Sequence, residues 1–423
     1  MEKFSIEGPV RLHGKVAASG AKNAALPALA ATLLSDEKVE LTRVPAVRDI
    51  RTMCRLLEHL GGECESEGHR VVASGSCVGG DQPDAPYELV KTMRASILVL
   101  GPLLARRGRA TVSLPGGCAI GVRPIDEHLR GMEALGAEVE LSEGYVTARA
   151  DRLVGTRFRF HVPSVTGTEN VMMAATLAQG STRLENCARE AEIADLAELL
   201  NAMGAKISGA GGDVIEIEGV DALHHARHEV IPDRIEAGTY LIGAAITGGD
   251  VEVEGARWRD LEALTAELEA AGVRVERTAS GVRAVGNGEL APTRVETAPH
   301  PGFPTDLQAQ WMALMTQAEG TSSLRESVFE NRFQHVAELN RLGADVQIDG
   351  RTAVVHGRRQ LSGTGVMATD LRASACLVLA GLAAEGTTVV DRIYHLDRGY
   401  EAMESKLHSL GAQVERFSAP MEV

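Results

Sequence analysis

The chain has 423 residues, 44% of them hydrophobic and only 3% aromatic, with 45 glycines and a formal net charge of −15. That length exceeds what one hydrophobic core usually organises, so two domains are expected, packed by Ala, Leu, Val and Ile rather than by rings. The acidic balance excludes nucleic acid or an anionic membrane as the main partner, and any basic cluster must serve a local purpose.

The opening Met1-Glu2-Lys3-Phe4-Ser5-Ile6-Glu7 lacks the apolar stretch of a signal peptide. The uncharged apolar runs at 95–105 and 373–384 fall short of the roughly 18 residues that span a bilayer. Cys54, Cys64, Cys77, Cys118, Cys187 and Cys376 contain no CxxC pair, which suits neither a zinc site nor a disulfide framework. A reducing, cytoplasmic setting is expected.

Along the chain, a small-residue helix, a turn and an alternating strand recur at 30–41, 100–114, 174–184, 241–253, 314–324 and 378–390. A second kind of helix ends each time at a glycine with a strand directly behind it: Gly61, Gly136, Gly204, Gly272, Gly343 and Gly411. Successive glycines are 75, 68, 68, 71 and 68 residues apart. A repeat near 70 residues is longer than the roughly 20 to 50 of solenoids and favours compact packing. Helices such as 172–178 are apolar nearly all round, which marks them as buried. Six units, each with two helices and several strands, are therefore expected to group in threes around a helical centre, twice over.

The second unit holds the loop Pro115-Gly116-Gly117-Cys118-Ala119-Ile120-Gly121-Val122-Arg123-Pro124. Pro124 stands where a helix prefers its first residue, and Ile125, Leu129, Met132 and Leu135 continue at helical spacing. Cys118 thus precedes a helix start, which together with Arg123 would lower a thiol pKa; a buried structural cysteine is the other reading, and both stay open. The loop is neither GxGxxG nor GxxxxGK[ST], so no dinucleotide or P-loop claim follows. His224, His225 and His228 lack partners at ligand spacing; no metal or cofactor is expected.

Five segments carry a resemblance that spans essentially the whole chain. Ser19-Gly20-Ala21-Lys22-Asn23-Ala24-Ala25-Leu26-Pro27, the Cys118 loop, Phe329-Glu330-Asn331-Arg332-Phe333, Ala368-Thr369-Asp370-Leu371-Arg372-Ala373-Ser374 and Asp391-Arg392-Ile393-Tyr394-His395-Leu396-Asp397-Arg398-Gly399-Tyr400 resemble the UDP-N-acetylglucosamine enolpyruvyl transferase family. The resemblance implies an α/β fold of two inside-out α/β barrel domains built from six βαβαββ repeats, matching the repeat count above. It implies a discontinuous domain, 1–21 with 232–423, carrying Asp306, Arg332, Asp370, Arg372 and Arg398. The inserted domain, 22–231, then carries Lys22, Arg94 and the Cys118 loop. The implied reaction moves the enolpyruvyl group of phosphoenolpyruvate to the 3′-hydroxyl of UDP-N-acetylglucosamine with release of phosphate, by addition and elimination. It is the first committed step of peptidoglycan precursor synthesis, on which cell shape and division depend.

Carried over residue by residue, Lys22 and Asn23 hold phosphoenolpyruvate, Arg123 and Arg398 help bind its phosphate, and Arg372 its carboxylate region, with Arg332 in the same cationic pocket. Arginine suits this because its planar fork binds carboxylate and phosphate oxygens in pairs. Asp306, within Phe303-Pro304-Thr305-Asp306-Leu307-Gln308, matches the carboxylate at the sugar hydroxyl; from the sequence alone, a turn or helix cap is the simpler reading. Cys118 matches a proton donor, with covalent capture of phosphoenolpyruvate or help in product release beside it, and Lys22 and Asp370 share the proton work. For the sugar nucleotide the matching residues are Arg94, Arg123, Pro124, Ile125, Asp126, Glu127, Ser164, Val165, Asp306 and Val328. One departure stands out: Val162 occupies a position where some members carry Lys. The resemblance also implies alkylation of Cys118 by fosfomycin. Two alternatives remain. Transfer to shikimate 3-phosphate fits the cysteine loop and Arg123-Pro124-Ile125-Asp126 poorly, and a silent UDP-sugar-binding paralogue would not need Lys22, Cys118, Asp306 and Arg398 together.

Overall fold

The computed structural model describes residues 2–75, 85–91, 93–114, 125–358 and 360–418. Its contacts divide the chain into two compact units, one of Met1–Ser19 and Pro232–Val423, the other of Gly20–Gly117 and Arg123–Ile231.

In the second of these units, three inner helices form the core: Lys22–Ala31, Leu100–Arg107 continuing from the 3-10 turn Arg94–Val99, and Val165–Ala175. They are buried along most of their length, chiefly through Ala, Gly, Leu and Met, and Val165–Ala175 also buries Thr168, Glu169 and Asn170. Close approach makes this possible. A Cβ on Gly101 would lie 2.4 Å from both the main-chain oxygen and Oδ1 of Asn170. The Asn170 side chain instead accepts from the Gly101 N–H at 2.7 Å and donates to the Ile97 carbonyl at 2.8 Å, tying two inner segments together. The outer helices Arg48–His59, Asp126–Ala134 and Ala191–Ala202 bury one stripe each, as with Ile50, Met53, Leu56 and Leu57.

The other unit repeats the plan, with inner helices Arg234–Ile246, Gln308–Met315 and Leu371–Ala383 packed pairwise, and outer helices Glu262–Ala270, Val336–Arg341 and Met403–Ser409. Asp233 and Asp370 cap two of the inner helices by accepting backbone N–H bonds at 2.8 to 3.0 Å.

Each of the first five repeats reads strand, inner helix, strand, outer helix, two strands, and the sixth has one strand after its outer helix, Glu2–Gly8 completing its sheet; each sheet joins one parallel pair to antiparallel neighbours. In the second repeat the leading strand is reduced, among the described residues, to a parallel bridge from Ala85 to Val112. Two strands are exchanged. His13–Ala17 leads in sequence to the helix Lys22–Ala31 but pairs with Asp250–Glu254, while Ala226–Glu229 leads to Arg234–Ile246 but pairs with Val39–Thr42. The strand Glu2–Gly8 lies between Gly386–Asp391 and Gln413–Ser418.

The six glycines that mark the repeat all adopt left-handed backbone, with φ from 87° to 103°, which explains why glycine recurs there. The helix expected after the cysteine loop runs Asp126–Ala134, the carbonyl of its cap residue Ile125 accepting from the N–H groups of His128 and Leu129; Pro124, expected as its first residue, lies outside the described residues. No helix among the described residues is long and apolar enough to cross a membrane.

Gly101→Ala is expected to lower the unfolding free energy by about 2 kcal/mol or more, since the added methyl meets backbone rather than a movable side-chain tip. Urea denaturation of both proteins checks this.

Candidate functional site

In the unit of Met1–Ser19 and Pro232–Val423, Asp306 lies in the 3-10 turn Thr305–Leu307 that opens an inner helix. Rather than capping a turn, its carboxylate is held by two arginines: Arg332 Nη2 donates to Oδ1 at 2.6 Å and Arg372 Nη2 to Oδ2 at 3.0 Å. The arginine side chains are 7% and 6% exposed and Asp306 26%, so the carboxylate is the part of the triad open to a ligand. Burial opposes its ionisation, but Arg372 and Arg332 outweigh burial and hold the carboxyl well below the ordinary carboxylate range.

The arginines are themselves held in place. Arg332 donates to Thr305 Oγ1 at 2.8 Å and lies over the Phe329 ring; Arg372 lies over Tyr400. The Tyr400 hydroxyl bonds Thr239 Oγ1 at 2.9 Å and accepts from Gln310 Nε2 at 3.1 Å, which joins the inner helices Arg234–Ile246 and Gln308–Met315. Burial pushes the His335 imidazole down to about 4, so it is neutral beside Arg332. Asp370, expected to share proton work, spends Oδ1 on helix capping and accepts from Thr369 Oγ1 at 3.3 Å on Oδ2. Arg398 ends the 3-10 helix Ile393–Arg398, and burial together with its charge lowers the pKa of His395. The Val328 N–H is committed to Glu326 at 2.8 Å.

In the unit of Gly20–Gly117 and Arg123–Ile231, Lys22 is the first residue of its helix and pairs with Asp49 at 3.2 Å, a nearly buried partner. Asn23 follows it, half-buried. Arg94 opens the turn Arg94–Val99. Burial, reinforced by Arg94, pushes His128 down to about 3, so the imidazole is neutral. It therefore accepts from Asn170 Nδ2 on Nδ1 at 2.9 Å and donates from Nε2 to Thr166 at 3.1 Å. Ser164 caps the helix Val165–Ala175, its Oγ accepting from the Gly167 N–H at 3.1 Å. Ile125 is the cap residue of the next outer helix, Asp126 is exposed in its first turn, and Glu127 accepts two bonds from Arg130 at 2.9 Å and one from the His161 N–H. Glu127 is thus committed to structure. Val162 is 60% exposed.

Cys118, Arg123 and Pro124 lie outside the described residues. Among the described residues no group of three or more His, Cys, Asp and Glu side chains is arranged to hold a metal ion.

The structure sets Asp306, Arg332 and Arg372 together, residues that the resemblance named for separate tasks, and adds Thr305, Glu326, Tyr400, Gln310, His128, Asn170 and Asp49, to which it assigned no task. A usable signal existed for two of them. Gln310 and Asn170 are amides inside helices rich in Ala, Met and Val or Leu, where an unpaired polar group is costly and a partner is expected.

The chain matches the model of the EPSP synthase (3-phosphoshikimate 1-carboxyvinyltransferase) family over residues 6–407. A UDP-N-acetylglucosamine 1-carboxyvinyltransferase of Anaeromyxobacter sp. (strain Fw109-5) is 58% identical over 422 residues, 99% of this chain and 100% of that one. One from Myxococcus xanthus is 56% identical over 420 residues, again 99% and 100%. Among solved structures, the enolpyruvyl transferase NikO from Streptomyces tendae superposes with a TM-score of 0.88 at 25% identity, covering 99% of both chains. The EPSP synthase of Acinetobacter baumannii, at 18% identity and a TM-score of 0.76 over 99% of this chain and 100% of that one, shares the fold.

Arg332→Ala should cost about 3 kcal/mol of stability at pH 7 by leaving Asp306 with one partner. The depressed carboxyl contributes stability above its unfolded pKa near 4, and that contribution is lost as pH falls further. The variant should therefore lose less on acidification than the parent, which denaturation at pH 7 and pH 3.5 measures.

Proposed function

The chain belongs to the EPSP synthase family of carboxyvinyl transferases, and from that premise we propose that it transfers the enolpyruvyl group of phosphoenolpyruvate to the 3′-hydroxyl of UDP-N-acetylglucosamine, releasing phosphate. Identity of 56–58% along nearly the full length of relatives that bear that activity's name carries the reading. The fold is the two-domain enolpyruvyl transferase fold. We take its domains as residues 1–21 with 232–423 and residues 22–231. The reaction belongs to peptidoglycan precursor synthesis, in the cytoplasm.

The acceptor hydroxyl adds to C2 of phosphoenolpyruvate while C3 takes a proton; C3 then gives a proton back as phosphate leaves. Asp306 is the group for the hydroxyl. Its depressed pKa keeps it ionised at neutral pH, so it accepts a hydrogen bond from the hydroxyl and takes the proton as the C–O bond forms. Arg372 and Arg332 also supply cationic surroundings for the phosphoenolpyruvate carboxylate, and Arg398 and Arg123 for its phosphate. Lys22 and Asn23 complete the phosphoenolpyruvate set. Protons at C3 are exchanged by Cys118, Lys22 and Asp370, with Cys118 the donor to C3. Arg94, Ile125, Asp126, Glu127, Ser164, Val165 and Val328, with Arg123 and Pro124, form the sugar-nucleotide set. There the start of the helix Asp126–Ala134 is the part suited to an anionic diphosphate.

Phosphate release from phosphoenolpyruvate is expected with UDP-N-acetylglucosamine and not with shikimate 3-phosphate. Release with the second acceptor alone would move the chain to the sister activity; release with neither would leave a silent binding protein.

Fosfomycin, an electrophilic phosphonate, should add to Cys118 and stop turnover. Intact-mass measurement should find one adduct on the parent and none on Cys118→Ser.

A further inference from the structure

Glu326 is the residue at the site for which neither the sequence pattern nor the proposed chemistry supplies a role. It follows the strand Thr321–Arg325, is 1% exposed, and accepts four hydrogen bonds. Oε1 takes the hydroxyl of Thr297 at 2.8 Å and the N–H groups of Val328 at 2.8 Å and Phe329 at 3.1 Å. Oε2 takes the Thr305 hydroxyl at 2.8 Å. With its proton directed to Glu326, Thr305 Oγ1 presents a lone pair to Arg332 Nη1 at 2.8 Å. The other nitrogen of that guanidinium, Nη2, holds Asp306 at 2.6 Å. A single carboxylate thereby fixes the turn that carries Asp306, the main chain at Val328, and, through one hydroxyl, the direction of an arginine fork.

We infer that Glu326 is a positioning residue for enolpyruvyl transfer, acting through Thr305 to aim Arg332 at Asp306 and so to set both the place and the protonation state of the carboxylate that receives the acceptor hydroxyl. The inference rests on the reading of Asp306 as the group at the acceptor hydroxyl. Its physical logic is one of orientation. A threonine hydroxyl between a carboxylate and a guanidinium can satisfy both only by donating to the first and accepting from the second. If the carboxylate is neutralised, the hydroxyl loses the partner that orients it and the fork loses a fixed acceptor. Asp306 then keeps Arg372 but loses the alignment of Arg332. The charged and titratable groups facing this centre are Arg332 and Arg372 on Asp306, Tyr400 and Asp233 on Arg372, and Arg332 and Asp370 on His335; substitutions at Thr305 and Glu326 leave the chemical identity of each unchanged.

The test uses Thr305→Val, which keeps the shape and removes the hydroxyl, Glu326→Gln, which keeps the shape and removes the charge, and Thr305→Ser, which restores the hydroxyl. Both of the first two should lower kcat by about ten- to a hundredfold, the scale of a small misplacement at a reacting group. Both should also move the acid limb of the kcat profile to higher pH, and Thr305→Ser should return both quantities to parental values. A variant that is merely less stable would lose active protein without moving that limb. Independently of turnover, carbon-13 NMR of aspartate-labelled protein should show the Asp306 carboxyl taking up its proton at a higher pH in Thr305→Val and Glu326→Gln than in the parent. An Asp306 titration unchanged in both folded variants overturns the inference, as does a limb that stays in place while kcat falls. Should Thr305→Val fail to fold, Glu326→Gln decides alone. If the parent shows no turnover yet the NMR shift is present, the assigned reaction falls and the positioning of Asp306 stands.

Discussion

A helix surrounded by protein on every side can keep a polar group only where that group finds a partner, and the easiest place is its end. Each unit is built on three such helices, and the candidate residues follow that constraint. Lys22, Asn23, Ser164, Val165 and Arg372 stand in or beside the first turn of an inner helix, and Arg94 and Asp306 stand in the short 3-10 turns that lead into one. First turns expose unpaired N–H groups and the positive end of the peptide dipoles. A protein of net charge −15 can in this way present locally positive ground to anions without a basic surface.

The same constraint explains why so much of the candidate site is scaffolding. Asp370 and Ser164 cap helices, Glu127 is bound by Arg130 and the His161 N–H, and Asn170 with His128 joins three segments. These groups leave little rotational freedom to the residues beside them. Asp306 is the case where magnitude decides. Burial opposes its charge, yet two guanidinium groups within 3.0 Å hold its pKa well below the ordinary carboxylate range while its side chain stays 26% exposed.

Much of the fold was legible because its signals are local. A left-handed residue must end each outer helix, so glycine recurs at a fixed spacing and reveals six units. Apolarity all round marked the inner helices as buried. The Asp306–Arg332–Arg372 triad was legible only through resemblance, since nothing in the spacing of residues 306, 332 and 372 indicates that they meet. Glu326 was invisible for a different reason: a lone glutamate after a strand reads as solvated, and its burial depends on Thr297 and Thr305, more than twenty residues earlier.

The position of the strand Glu2–Gly8 has a consequence for how the chain is made. All elements of one unit lie between Gly20 and Ile231, so a ribosome can deliver that unit whole while the rest is still being synthesised. Glu2–Gly8 must wait, because its neighbours are Gly386–Asp391 and Gln413–Ser418. Throughout that interval it is an unpaired strand with two apolar side chains, Phe4 and Ile6, destined to be fully buried. Glu2, Lys3 and Glu7 surround them with charge, the arrangement that keeps an orphan strand from pairing with another nascent chain.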